Sequence, residues 1–434
     1  MDWFWNIDVI SGPLVWILYG LSAAGLLYLF IRRSGPVWYL SAVIALLIGA
    51  LLAVGTVWLL FDVLNLFGGP LLVAAFPWVI VAFSAIALAI LSLAWKGTWK
   101  RRVLAGASVV VFAVAAALGV NGAFGLQTTI GAMFHVQNTK SVDVVVPPST
   151  PVADPSQPLY QTWKAPADLP KMGTSGPVAA TMQVPNANSG FPARPAQIYY
   201  PPAALVKNPP ALPFVLMMMG QPGDPEAKWI GGALDAIAAE HQGLAPIVLV
   251  VDQLSDPSKD PLCIDGKLGK VDTYITQDVI PWAKEHLRIL QGRQYWTVAG
   301  YSAGGGCALL YGAKYPETFG NVVSVSGEQF PGSDVEADNL KSMFDGDAAA
   351  YEAIKPTTIM SKGTYPDTNA YFSAGTADPV YLQAMQRNAP AATKAGWKVQ
   401  TFEVSGGDHG ISSLTGGLDQ TLRALYVRLG LTPP

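Results

Sequence analysis

Residues 300–304 read Gly-Tyr-Ser-Ala-Gly; the apolar run "YWTVAG" leads into them and a helix-like stretch follows. A Gly-x-Ser-x-Gly between a strand and a helix holds a serine hydroxyl above a sheet, provided its neighbours are small enough for strand and helix to approach. Ser302 is therefore the candidate nucleophile, with Gly300 and Gly304 forming the turn. Gly305 and Gly306 follow at once. An interior glycine costs a helix about 1 kcal/mol relative to alanine, so something other than helix propensity selects them.

A serine needs a base. Of the four histidines, His135, His241 and His286 precede Ser302. On a fold of this kind the order along the chain is serine, acid, histidine, which leaves His409 in the glycine-rich "VSGGDHGISSL". The acid is expected after a strand between the two, and "NAYFSAGTADPVY" supplies Asp378. A buried carboxylate there would fix the imidazole tautomer and stabilise its cation. The competing reading makes Asp378 a cap for the next helix, and Asp408 is the rival carboxylate. The oxyanion would be met by the backbone N–H of Ala303 and by a second one from the loop "GQPGDPEAKW", where Gln221 is the candidate. Two cysteines and scattered histidines lack zinc spacing, and a phosphate-binding glycine loop with lysine is absent from the sequence. This chemistry calls for no metal and no cofactor.

The elements that must carry these residues begin at about residue 178. Candidate strands are "VAATMQV", "AQIYY", "PFVLMMM", "PIVLVVD", "YWTVAG", "NVVSVSG", "NAYFSAG" and "KVQTFEV". Amphipathic segments lie between them, such as 271–288 with Val271, Tyr274, Ile275, Val279, Trp282 and His286 at helical spacing. Continuous apolar strands with helical crossovers predict one domain over 178–434, a mostly parallel sheet covered by helices on both faces. Every candidate above falls at the carboxyl end of a strand, where such sheets place their sites. Residues 327–362 form an insertion between the sixth and seventh strands, either a cover for the pocket or a solvated excursion.

The first 125 residues differ. The chain is 51% hydrophobic and 13% charged, too apolar for a purely soluble protein of this size, and the excess lies in four uncharged stretches at roughly 13–31, 37–60, 71–95 and 103–123. Each reaches the about 20 residues a membrane span needs. Acidic rather than basic residues precede the first, which argues against a cleaved signal peptide. Arg32, Arg33, Lys96, Lys100, Arg101 and Arg102 fall after the first and third spans, and Asp2, Asp8 and Asp62 on the other side. The positive-inside rule then puts both termini, and everything after about residue 125, outside the cytoplasm of a plasma membrane. Trp3, Trp5, Trp38, Tyr39, Trp95 and Trp99 sit near span ends as interface anchors. The outer part is net acidic, which argues against nucleic acid as a partner and leaves the lipid bilayer and an ester substrate as the expected ones. Residues 126–177, rich in Pro and Ser, read as a linker. Cys263 and Cys307 both lie in the outer part, where an oxidising environment permits a disulfide; the sequence does not show that they meet.

The stretches "PFVLMMMGQPGDPEAKWIGG", "VAGYSAGGGCALLYGAKYPETFGNVVSVSG", "FSAGTADP" and "GGDHG" together resemble the esterase branch of the α/β-hydrolase superfamily that includes esterase D and the mycolyltransferases of actinobacterial envelopes. The resemblance covers roughly residues 178–430. It implies hydrolysis or transfer of an acyl group through an acyl-serine, with Ser302, Asp378 and His409 matching the triad positions. The mycolyltransferases look like secreted proteins with a glutamate as the acid and Asp-Gly before the oxyanion donor, where this chain has Asp378 and Met219-Gly220. A polytopic anchor joined to an outward esterase domain is more similar to actinobacterial hydrolases of aminoacylated phosphatidylglycerol. The expected function is thus a membrane-anchored extracytoplasmic serine esterase acting on an envelope ester. The alternatives are an acyltransferase with a sugar acceptor and an anchored binding protein without turnover.

Overall fold

The computed structural model describes residues 2–32, 34–64, 71–125, 127–134, 136, 141–144 and 155–434, and the chain divides into two compact units, Met1–Asn138 and Thr139–Pro434.

In the first unit the uncharged stretches fold into four long helices, α1 (Pro13–Phe30), α2 (Pro36–Val57, continued by a wider turn Trp58–Val63), α3 (Phe76–Ala94) and α4 (Trp99–Phe124). All four are long and apolar enough to cross a membrane by length and composition. Their outward residues are apolar as well: Trp16, Ile17, Leu40, Leu51, Val81, Ile90 and Val110 are exposed. A helix that is hydrophobic all round has no water-facing side. Inside, small residues permit close approach; a Cβ on Gly49 of α2 would meet the Phe83 carbonyl and the Ser84 Cα of α3. The basic residues at one end also complete the backbone. Arg101 donates to the carbonyls of Tyr28, Leu29 and Ile31 at 2.6, 3.1 and 3.0 Å, and Arg32 donates to the Lys96 carbonyl. These satisfy carbonyls that the C-terminus of α1 and the turn before α4 would otherwise leave open.

The second unit is built on one eight-stranded sheet: β1 (Thr174–Pro177), β2 (Gln197–Tyr200), β3 (Phe214–Met218), β4 (Ile247–Val251), β5 (Trp296–Tyr301), β6 (Asn321–Val325), β7 (Asn369–Gly375) and β8 (Lys398–Val404). The spatial order is β1-β2-β4-β3-β5-β6-β7-β8. β3 through β8 run parallel, while β2 is antiparallel to both its neighbours. The central strands β3 and β4 are buried throughout, as runs covered on both faces must be. The edges are short or polar: β1 has four residues and ends in Pro177, and β8 exposes Lys398, Gln400, Thr401 and Glu403.

Two helices show how the faces are covered. Successive strand residues point to opposite sides. In α6 (Ala303–Lys314) Gly305 and Gly312 lie against Ser324 and Val322, whereas Gly417 of α8 (Ile411–Arg428) lies against Val325. The two helices therefore cover opposite faces of β6. α7 (Pro379–Lys394) packs on β7 and β8, and α5 (Lys228–Glu240) packs beside α8.

Seven of the eight expected strands lie where the apolar runs predict. The exception is "VAATMQV": Val178 makes one isolated bridge, to Val142, and Ala180–Met182 is a 3-10 turn. The edge strand instead occupies Thr174–Pro177, four positions paired with β2. This also corrects the expected linker. Gly131 is part of a short helix in the first unit, Leu159–Thr162 is helical with Leu159 buried, and β1 belongs to the sheet. Leu159 and its neighbours fold back because Tyr160 N–H bonds the Gly430 carbonyl and Trp163 Nε1 the Gln242 carbonyl. Of the remaining tract, 126, 135, 137–140 and 145–154 lie outside the described residues.

Candidate active site

The turn between β5 and α6 holds Ser302 at φ 57°, ψ −123°, a region that costs a non-glycine residue about 1–3 kcal/mol. The turn is pinned from several sides. Ser302 N–H donates to the Val325 carbonyl at 3.1 Å, and its own carbonyl accepts from Gly305, Gly306 and Glu328 at 2.9, 3.1 and 3.2 Å. The glycines are explained by contact: a Cβ on Gly300 would overlap the Gly304 carbonyl, one on Gly304 would overlap the Met218 carbonyl, and one on Gly305 would lie 2.6 Å from Gly327 Cα.

The three residues singled out by type and order come together. His409 Nε2 lies 2.9 Å from Ser302 Oγ, and His409 Nδ1 lies 2.8 Å from Asp378 Oδ2. Asp378 is buried and precedes α7 without capping it through its side chain, so its carboxylate serves the imidazole. Asp408 faces elsewhere: its Oδ1 accepts from Ser412 Oγ at 2.8 Å at the start of α8. The arrangement can take a proton from the serine, store it on the imidazole and return it to a leaving group.

Ala303 is the first residue of α6, where backbone N–H groups have no partner within the helix. Gly220 lies against the serine, since a Cβ there would be 2.9 Å from Ser302 Cβ; Gln221 follows it, with its side chain turned to the Pro257 carbonyl at 3.0 Å. Arg194 steadies this loop by bonding the Gly223 carbonyl at 2.9 Å and Asp252 Oδ1 at 2.7 Å. Cys263 and Cys307 are bonded to each other, tying the segment after β4 to α6 just beyond Ser302. Among the described residues no group of three or more His, Cys, Asp or Glu side chains is placed to hold a metal ion.

Two features went unread in the sequence. The rings of Tyr381 and Tyr301 lie nearly parallel to His409, with centroids at 3.7 and 5.4 Å and interplanar angles of 14° and 17°. Their signal was position: Tyr301 directly precedes the serine and Tyr381 follows Asp378 by three. The second feature is a set of carboxyl groups from two segments, Asp260 on one and Glu328 and Asp334 on the insertion. Tyr381 Oη donates to Asp334 Oδ2 at 3.2 Å, so the 327–362 insertion reaches the site. Burial first, then the charges of Asp334 and Asp260, lift Glu328 well above the usual carboxylate range. Burial, with the Asp334 charge adding, lifts Asp260 to about 6.

Both groups hold their protons more tightly folded than unfolded, so each weakens the fold as pH rises from the ordinary carboxylate range through the raised value. The melting temperature should therefore decline as pH rises above about 5, and Glu328→Gln should flatten that decline. Superimposable curves for the two proteins would contradict this account.

A serine presented at a strand-to-helix turn of a mostly parallel sheet defines a serine hydrolase of the α/β-hydrolase fold. Residues 197–415, about half of the chain, match the family described as "Putative esterase", and the protein belongs to this esterase family. An uncharacterized protein of Corynebacterium glutamicum is 28% identical over 350 residues, covering 77% of this chain and 78% of its own. Among solved structures, an S-formylglutathione hydrolase from Agrobacterium tumefaciens is similar at 18% identity, covering 60% of this chain and 97% of that one with a TM-score of 0.47. The enterobactin esterase FES from Shigella flexneri is similar at 17% identity over 63% of each chain, with a TM-score of 0.42.

Proposed function

We propose that this esterase is anchored in the plasma membrane and works outside the cytoplasm on an ester of the cell envelope, with Ser302, His409 and Asp378 as its triad. The observation that carries the reading is the unbroken relay from a strained serine through Nε2 and Nδ1 to a buried carboxylate. Ser302 Oγ attacks the ester carbonyl carbon as His409 Nε2 takes its proton, and the oxyanion is met by the backbone N–H groups of Ala303 and Gln221. The alcohol leaves with the proton from His409. Water then attacks the acyl-serine, gives its proton to His409, and the acid departs as Ser302 is restored.

Four long apolar helices support the anchor, and the basic residues after the first and third support a cytoplasmic position for those turns. The Cys263–Cys307 bond favours an oxidising compartment for the hydrolase unit. For the acyl group, the carboxyl of Asp334, bonded to the Tyr381 ring that covers His409, suits an ammonium-bearing chain better than a long apolar one. An aminoacyl phospholipid has such a group.

The test is mass spectrometry of alanyl- and lysyl-phosphatidylglycerol incubated with the detergent-purified protein, with trehalose present. Free amino acid and phosphatidylglycerol are expected, and pretreatment with a fluorophosphonate should leave the lipid intact. An acylated trehalose would instead establish the transferase. Folded protein that takes up no fluorophosphonate and converts no ester would be a binding protein.

A further inference from the structure

A hydrogen bond from Nδ1 to a carboxylate fixes where the imidazole sits but leaves it free to turn about that bond, and such a turn carries Nε2 away from the serine. His409 lies on the loop between β8 and α8, which by itself offers little resistance. A reacting group must be held within about 10–20° of its working orientation. Something else has to block the rotation.

The first turn of α7 supplies it. Asp378 and Tyr381 are three residues apart, so one turn presents both side chains on the same side. The Asp378 carboxylate meets the ring edge at Nδ1, and the Tyr381 ring covers the imidazole face at 3.7 Å and 14°. Tyr381 is itself buried, and its hydroxyl is tethered to Asp334 Oδ2. The groups around the imidazole are thus Asp378, Ser302, Tyr381 and Tyr301, with Asp334 behind Tyr381 and Asp408 the residue before His409. We infer that Tyr381 is a positioning residue for the base: its ring bars rotation of His409 about the Asp378 bond, and Asp334 of the insertion holds that ring in place. Burial foremost, with Asp334 and Glu328 adding, pushes the Tyr381 phenol well above its ordinary value, while the neighbouring Ser302 hydroxyl pulls the other way; the phenol stays protonated and keeps donating to Asp334. The inference rests on the reading of His409 as the base.

The experiment compares Tyr381→Leu, Tyr381→Phe, Asp334→Ala and the double variant Tyr381→Phe/Asp334→Ala in the full chain, by ester turnover and by the rate of fluorophosphonate labelling. Loss of the flat ring in Tyr381→Leu should lower kcat about 100-fold and leave KM within about twofold, since misplacing a reacting group acts on the chemical step. Tyr381→Phe keeps the ring and loses the hydroxyl, with its tether to Asp334 and its contact with Ser302, so a drop of about fivefold is expected. Asp334→Ala should lower kcat as well, and the loss in the double variant should fall short of the product of the two single losses, because the bond between Tyr381 and Asp334 is common to both. Labelling rates should fall in the same order. Melting temperatures identify any variant that has lost its fold, and the phenylalanine variant then carries the comparison. A folded Tyr381→Leu that turns over at the parental kcat, or one that changes KM alone, overturns the inference while the esterase reading stands. A parent protein that is neither labelled nor active removes both.

Discussion

Ser302→Ala is expected to abolish ester turnover, lowering kcat by about 100,000-fold or to background, while the protein stays folded. The size of the effect follows from what the hydroxyl does. The relay in place ends on Ser302 Oγ, and with that oxygen gone His409 has no alcohol to activate and no acyl-enzyme can form. What remains is binding and the backbone donors near the oxyanion position. Folding should be spared, because the bonds that pin the turn come from the Ser302 backbone N–H and carbonyl, which alanine retains. Turnover measured beside a thermal melt separates the two effects. Parental activity in a folded Ser302→Ala protein would remove the serine mechanism altogether.

The second large effect distinguishes the two candidate acids. Asp378→Asn should lower kcat by about 10,000-fold, since an amide opposite Nδ1 no longer stabilises the imidazolium and favours the wrong tautomer. Asp408→Asn should stay within about threefold of the parent, because the Asp408 carboxylate bonds Ser412 and not the ring. The structure makes the contrast sharp: Asp378 is buried and 2.8 Å from the imidazole, while Asp408 is held at the start of α8. A pair of variants with the opposite ranking would reassign the acid. The comparison needs only kcat at saturating substrate.

How much of this could be read in advance depends on whether a residue's task was local. The parallel strands were legible because continuous apolar runs such as "PFVLMMM" and "NAYFSAG" admit one environment, between two layers of helices. β1 was not, because nothing in Thr-Ser-Gly-Pro marks a strand; its place is set by hydrogen bonds to β2. The serine, its glycines and the histidine were legible because a tight turn and a fixed chain order leave few candidates. Tyr381 was missed because an aromatic residue in a helix more often fills a core than faces a base. Its relation to Asp378, one helical turn away, was the clue. Asp260, Glu328 and Asp334 carry no common pattern, and only the folding of the insertion brings the last of them to Tyr381.

The two ends of the sheet bear on life at a surface. Proteins confined to a plane meet one another far more often than the same number free in solution, and an open strand edge is the feature through which sheets zip together. Here one edge is four residues long and closes on a proline without an N–H, and the other displays a lysine and a glutamate beside polar neighbours. Neither edge gives a second copy a flat, apolar ladder to extend. A hydrolase unit tethered in the plane of a membrane, as proposed above, would thus offer its own kind no open sheet edge to extend.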